Sequence, residues 1–182
     1  MKLEQGLIHY YYGSGKGKTS TLIGTLIRAH GHGLKTLLVQ FLKLHSDNDN
    51  EAGYFMGEIH FLKNILPIEQ FSTGKFVIPN QSLNENDINV SKEGFQRVQQ
   101  AAMSGDYDVI AIDEIVDAIA LGLISLDDFI DVLKNKPKNL EIVFSGYNYI
   151  KELAEIAHYV SNIDMKKHPY YSGIDARKGI EY

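Results

Sequence analysis

The stretch Gly13-Ser14-Gly15-Lys16-Gly17-Lys18-Thr19-Ser20 constrains this chain most, because of what stands on either side of it. Before it, residues 7–12 (Leu-Ile-His-Tyr-Tyr-Tyr) read as a short buried strand. After it, residues 19–29 set Leu22, Ile23, Leu26 and Ile27 on one helical face. Gly31 and Gly33 mark the end of that helix. A glycine-rich turn in this position is a phosphate cradle. Glycines let successive backbone N–H groups converge on an anion, the helix N-terminus adds partial positive charge, and Lys18 adds a full one. Thr19 then stands where its hydroxyl can reach a phosphate-bound Mg²⁺. The usual spacing is G-x-x-x-x-G-K-[ST], and counting back from Gly17 reaches Tyr12, so the first glycine, Gly13, comes one residue late. The loop is a shortened variant with a second lysine, Lys16.

The rest of the chain alternates strand and helix patterns. Residues 35–42 form a continuous apolar run of the kind found inside parallel sheets. A short strand is expected at 59–62, and then a long loop at 65–89 that holds Pro67 and Pro79. Helical spacing resumes at 90–104 and ends at Gly105. Residues 107–112 form a buried strand that runs straight into Asp113-Glu114. Helices follow at 115–121 and 126–134, the second opened by Ser125 with Asp128 three residues on, close to a capping box. A strand at 140–145, a helix at 149–157 and a strand at 159–165 complete the series. This pattern predicts an α/β fold: one domain over 1–182, with a mostly parallel sheet covered by helices on both faces. Ligands of such sheets bind beyond the carboxyl ends of the strands, so the loop and Asp113-Glu114 are expected to meet at one edge. A strand-end acid after four apolar positions is the usual carboxylate that holds Mg²⁺, directly or through water.

Composition removes other classes. A formal net charge of -5 disfavours a general grip on nucleic acid, and zero cysteines exclude disulfides, zinc-thiolate sites and a thiol nucleophile. No charged-then-apolar leader precedes the first strand and no apolar run approaches about 18 residues, so a cytoplasmic enzyme with no membrane span is expected. The histidines show no H-E-x-x-H cluster, and His30 and His32 flank a helix-ending glycine as loop or packing residues. From the residues alone, a phosphoryl transferase using Glu114 near the γ-phosphate and a catalytically silent nucleotide binder both remain open.

Four segments together resemble the P-loop ATP:corrinoid adenosyltransferases across nearly the whole chain. Gly13 to Thr19 is similar to that family's G-x-G-K-G-K-T. Arg28-Ala29-His30-Gly31-His32-Gly33 and Val39-Gln40-Phe41-Leu42-Lys43 resemble R-A-x-G-H-G and V-Q-F-x-K. Residues 107–114 are similar to D-x-x-x-x-D-E. The ending, Lys167-His168 and then Gly173 to Tyr182, resembles K-H followed by G-x-x-A-x-x-G-I-[DE]-Y. The resemblance implies a RecA-like P-loop sheet, with ATP as co-substrate and a corrinoid as acceptor of its 5′-deoxyadenosyl group. It also implies triphosphate as product, a homodimer, and a flavoprotein reductase as electron donor. ATP would be held by Gly13, Ser14, Gly15, Lys16, Gly17, Lys18, Thr19, Ser20 and Arg28, and Mg²⁺ by Thr19 and Glu114 with Asp113. Lys16, Lys18 and Glu114 would act on the leaving group. Two segments depart from the family pattern. Thr73-Gly74-Lys75-Phe76-Val77 stands where T-G-F-T-W is common, and Ser145-Gly146-Tyr147 replaces T-G-R. Tyr54, Phe55, Phe71 and Phe76 are candidate corrinoid neighbours.

Overall fold

A computed structural model describes residues 2–43, 56–72 and 85–181. Six strands form one sheet: β1 (Ile8–Tyr12), β2 (Thr36–Phe41), β3 (Ile68–Phe71), β4 (Val109–Asp113), β5 (Glu141–Gly146) and β6 (Tyr159–Asn162). Their order is β3-β2-β4-β5-β1-β6, and every neighbouring pair is parallel. The helices are α1 (Lys18–Gly31), α2 (Gly57–Leu62), α3 (Glu85–Ser104), α4 (Ile115–Ala120), α5 (Leu126–Asn135) and α6 (Lys151–Ile156). β5 separates β1, which feeds the glycine loop, from β4, which ends in the acid pair; this is the expected RecA-like arrangement.

Alternation along the strands sorts the sheet into two packed faces. Leu37, Val39 and Phe41 of β2 with Ile110 and Ile112 of β4 face one core, which Phe95 and Val98 of α3 and Phe129 and Val132 of α5 cover. Leu38, Val109 and Ala111 face the other, under Leu22, Ile23 and Leu26 of α1 and Ile59 and Leu62 of α2. Because Val109 and Ala111 point to the α1 side, the next residue in phase, Asp113, does too. That places a carboxylate at the sheet edge under the first turn of α1.

The expected strand at 59–62 is instead helix α2. Ile59, Leu62 and Leu66 are buried while His60 and Phe61 are exposed, a helical spacing and not a period of two. The strand of this region, β3, lies within the stretch read as a loop. It is an edge strand, half-buried at all four positions, so Ile-Glu-Gln-Phe carries little hydrophobic signal. Its register against β2 pairs Gln40 with Gln70, whose side chain donates to Gln40 Oε1 at 3.0 Å. α3 starts at Glu85 rather than 90, with Glu85 and Asp87 in the first turn, where acidic side chains complement the helix dipole. β6 stops at Asn162, short of 165. The capping prediction holds, since Asp128 N–H donates to Ser125 Oγ at 3.3 Å. Among the described residues no helix is long and apolar enough to cross a membrane.

Candidate nucleotide site

The loop leaves β1 at Tyr12 and is clamped from two sides. Gly13 N–H donates to Tyr147 O at 3.1 Å, in the turn after β5, and Gly15 N–H donates to Ile163 O at 2.7 Å, just after β6. Met165 N–H donates to Ser14 Oγ at 3.3 Å. The fit leaves no room for side chains. A Cβ on Gly13, whose φ is +120°, would lie 2.5 Å from Ile163 O, and one on Gly15 would lie 2.7 Å from the same atom. Lys18 turns back under the loop and its ammonium donates to Gly13 O at 2.6 Å and Gly15 O at 3.1 Å. Burial lowers its pKa, and the negative charges of Asp117 and Glu114 oppose that shift.

Asp113 is fully buried yet saturated with donors. Its Oδ2 accepts from Thr19 Oγ1 at 3.0 Å and from Gln40 Nε2 at 3.1 Å, and its Oδ1 accepts from Ser145 Oγ at 2.7 Å. The next residue turns sharply. Glu114 adopts a left-handed conformation, φ +59°, which costs about 1–2 kcal/mol for a residue with a side chain. Two bonds support the turn: Glu114 N–H donates to Ser145 Oγ at 3.1 Å, and Glu114 O accepts from Ala118 N–H at 3.1 Å as α4 begins. The turn aims the Glu114 carboxylate away from the core, where Lys43 Nζ meets it at 2.5 Å while standing 3.8 Å from Asp113 Oδ2. Burial opposes the Lys43 charge, but Asp113 and Glu114 outweigh it and raise its pKa. For Glu114, burial prevails over Lys43 and raises the carboxyl's pKa. Asp117, in α4, accepts the Tyr147 N–H at 3.0 and 3.1 Å, and burial raises its pKa as well.

Above these groups opens a cavity of about 630 Å³. Its lining mixes polar side chains, among them Lys16, Lys18, Thr19, Lys43, Glu58 and Glu114, with apolar Ile23, Ile27 and Met56. The C-terminal segment closes one end. Lys16 Nζ donates to Ile180 O at 3.2 Å and to Glu181 Oε1 at 3.0 Å. Glu181 also pairs with Arg177, and these bonds hold its pKa down to about 2. A cavity of this size, whose lining combines lysines and the head of α1 with apolar side chains, suits a nucleoside polyphosphate.

The profile of the ATP:corrinoid adenosyltransferase family BtuR/CobO/CobP matches residues 4–182. The chain belongs to this family. Relatives named corrinoid adenosyltransferase include one from Escherichia coli K12, 29% identical with 98% of this chain and 87% of that protein aligned. Another is from Pseudomonas aeruginosa, 26% identical over 98% of this chain and 85% of that protein. A third, from Salmonella typhimurium LT2, is named corrinoid adenosyltransferase CobA and is 28% identical over 98% of this chain and 87% of its own length.

Adenosyltransferase membership lets each expected residue be placed. Gly15, Lys16, Gly17, Lys18, Thr19, Ser20 and Glu114 line the cavity. Gly13 and Ser14 build the loop from behind, and Asp113 sits beneath it. Arg28 lies farther along α1, exposed and outside the lining; Tyr11 feels its charge. Phe71 packs near Phe41, ring centroids 6.3 Å apart. Tyr54, Phe55 and the segment 73–77 lie outside the described residues. Several participants were not singled out from sequence as site residues: Gln40, Lys43, Asp117, Ser145 and Glu181. Gln40, Lys43 and Glu181 fall within the matched family segments, and Gln40 is also a polar residue inside a largely apolar strand, a signal that could have found it. Ser145 was marked only as part of the segment that replaces T-G-R, and nothing local marks Asp117; the roles of both exist only after β4 and β5 pair.

Proposed function

We propose that this chain transfers the 5′-deoxyadenosyl group of ATP to the Co(I) of a corrinoid and releases triphosphate. The cobalt electron pair forms the Co–C5′ bond as the C5′–O bond breaks, and that bonding pair leaves with the triphosphate. Such a nucleophile comes with the substrate, so the protein needs no general base. Its task is to stabilise charge developing on the leaving group, which preorganised cations and N–H groups do efficiently in a sheltered site. The observation that carries this reading is the shortened loop with Lys16 and Lys18 lining a cavity in which Glu114 is already paired with Lys43.

The donor set also suits Mg²⁺. Among the described residues no three His, Asp or Glu side chains converge, so an ion here would rest on the Thr19 hydroxyl, Glu114 and phosphate oxygens, with Asp113 orienting Thr19 from beneath. Such an ion would supply further neutralisation of the triphosphate. Thr19 would present its oxygen through its bond to Asp113, and Lys43 would yield Glu114 by turning toward phosphate. The same reading takes residues 1–182 as one catalytic domain, a homodimer as the working form, a flavoprotein reductase as electron donor, and the cytoplasm as location.

The deciding experiment is an anaerobic incubation with Mg-ATP and chemically reduced cob(I)alamin, following Co–C bond formation by absorbance and assaying triphosphate. Adenosylcobalamin with matching triphosphate, lost in Lys18→Ala, is the expected result. ADP release without a Co–C bond would instead reveal a phosphoryl transferase, and ATP binding with neither product a silent relative.

A further inference from the structure

The cavity-facing side of α1 contains a residue that the fold does not require. Ser20, Ile23, Gly24 and Ile27 fall at i, i+3, i+4 and i+7, one helix face, and all four line the cavity. Gly24 lies in the helix interior, where glycine is the poorest former after proline. Among the described residues a Cβ added there would meet no atom within 4 Å, and the position is ordinary helix, so neither their packing nor the backbone conformation calls for glycine. Beside it Ile27 is left 50% exposed, an apolar side chain facing the cavity. Gly24 is six residues past Lys18, about 9 Å along the helix axis, so it lies away from the phosphate end of the site.

We propose that Gly24, flanked by Ile23 and Ile27, is the floor on which the ring portion of the nucleotide lies, and that this glycine sets how closely base and ribose approach α1. The inference rests on the ATP-dependent reading above. A flat, weakly polar ring gains most from close contact with an apolar surface, and a missing side chain between two isoleucines provides a shallow slot for it. Met56 and Ile180 add further apolar surface to the lining of the same cavity. Polyphosphate contacts at the loop are independent of this slot.

The test compares Gly24→Ala and Gly24→Val with the parent chain, measuring melting temperature and the affinities for Mg-ATP and for inorganic tripolyphosphate by calorimetry. Both variants should fold, with Gly24→Ala melting at or above the parent because alanine is the better helix former. The Kd for ATP should rise about tenfold for alanine and more for valine, the scale of one methyl group in an apolar pocket. Tripolyphosphate affinity should not change. Unchanged ATP affinity in both variants overturns the proposal, as does a parallel loss of tripolyphosphate binding. A rise only in the KM for cob(I)alamin also overturns it, by giving the floor to the corrinoid. These are binding measurements, so a parent chain that binds ATP but forms no Co–C bond refutes the proposed reaction alone. A parent chain that fails to bind ATP refutes both.

Discussion

Removing the Asp113 carboxylate tests whether the site is held from beneath. In Asp113→Ala three donors lose their acceptor: Thr19 Oγ1 at 3.0 Å, Gln40 Nε2 at 3.1 Å and Ser145 Oγ at 2.7 Å. Each buried donor left unpaired costs about 1–3 kcal/mol. Deleting a buried charge recovers part of that through relieved desolvation, and losses on breaking such networks cluster at about 3–5 kcal/mol. Asp113→Asn separates charge from geometry. Its single oxygen can still take Thr19 and Gln40, while the Ser145 hydroxyl, turned to accept from the new amide, loses the acceptor of its own proton, so the loss should be that of one unpaired donor, about 1–3 kcal/mol. Urea unfolding followed by circular dichroism, with the same slope for all three proteins, measures both differences. In the alanine variant Thr19 is no longer oriented and Mg-ATP affinity falls. Stability within about 0.5 kcal/mol of the parent for Asp113→Ala, the range of surface substitutions, would refute the reasoning.

Lys43→Met leaves Glu114 and Asp113 without their cation. The Glu114 pKa, already raised by burial, rises further, so stability falls as pH climbs from the unfolded carboxyl value through the folded one. The deficit by thermal unfolding should therefore be smallest below the unfolded carboxyl value and grow as pH rises through the folded one. Tyr10→Phe removes a hydroxyl that donates to Asn148 O and accepts from Ile150 N–H at 3.1 Å, a loss of about 1–3 kcal/mol by urea titration. Burial pushes the Tyr10 phenol up to about 12. The folded protein thus keeps a proton that the unfolded chain releases, and stability present below pH 10 should be lost between about pH 10 and 12; spectroscopic tyrosinate titration would assign that step. Glu181→Ala should change stability by less than about 1 kcal/mol, because its cationic partners Lys16 and Arg177 are solvent-exposed. It should tighten tripolyphosphate binding a few-fold at low salt by freeing Lys16, and calorimetry at two ionic strengths would check the sign.

The sequence was most legible where a signal is local and repeated. β2 and β4 are buried at every position, so their continuous apolar runs could be read directly. The loop was recognisable because strand, glycines, lysine and helix are contiguous. Where burial is partial the reading failed: β3 has one polar pair in four residues, and α2 has only two turns with which to show its period. The site divides in the same way. Lys18, Thr19 and Glu114 belong to short motifs. Ser145 and Gln40 matter because β4 lies between β2 and β5, bringing both to opposite oxygens of one carboxylate. Strand order is set by long-range packing, and no window of sequence records it.

That strand order also explains how the site keeps charges ready for a polyphosphate. Each cation is held by something weaker than a phosphate. Lys18 is held by two carbonyls, Lys16 by a carbonyl and the half-buried Glu181 carboxylate, and Lys43 by Glu114. Charge-assisted bonds to phosphate are stronger than those to neutral carbonyls, so Lys18 and Lys16 can exchange partners at net gain without moving the backbone that positions them. Lys43 differs, because leaving Glu114 exposes a carboxylate whose pKa burial has already raised. That exchange is favourable only when Glu114 finds another positive partner at the same time. Binding of the polyphosphate and capture of a divalent ion by Glu114 should therefore be coupled: tripolyphosphate affinity should rise with Mg²⁺ in the parent chain, and this rise should shrink in Glu114→Gln.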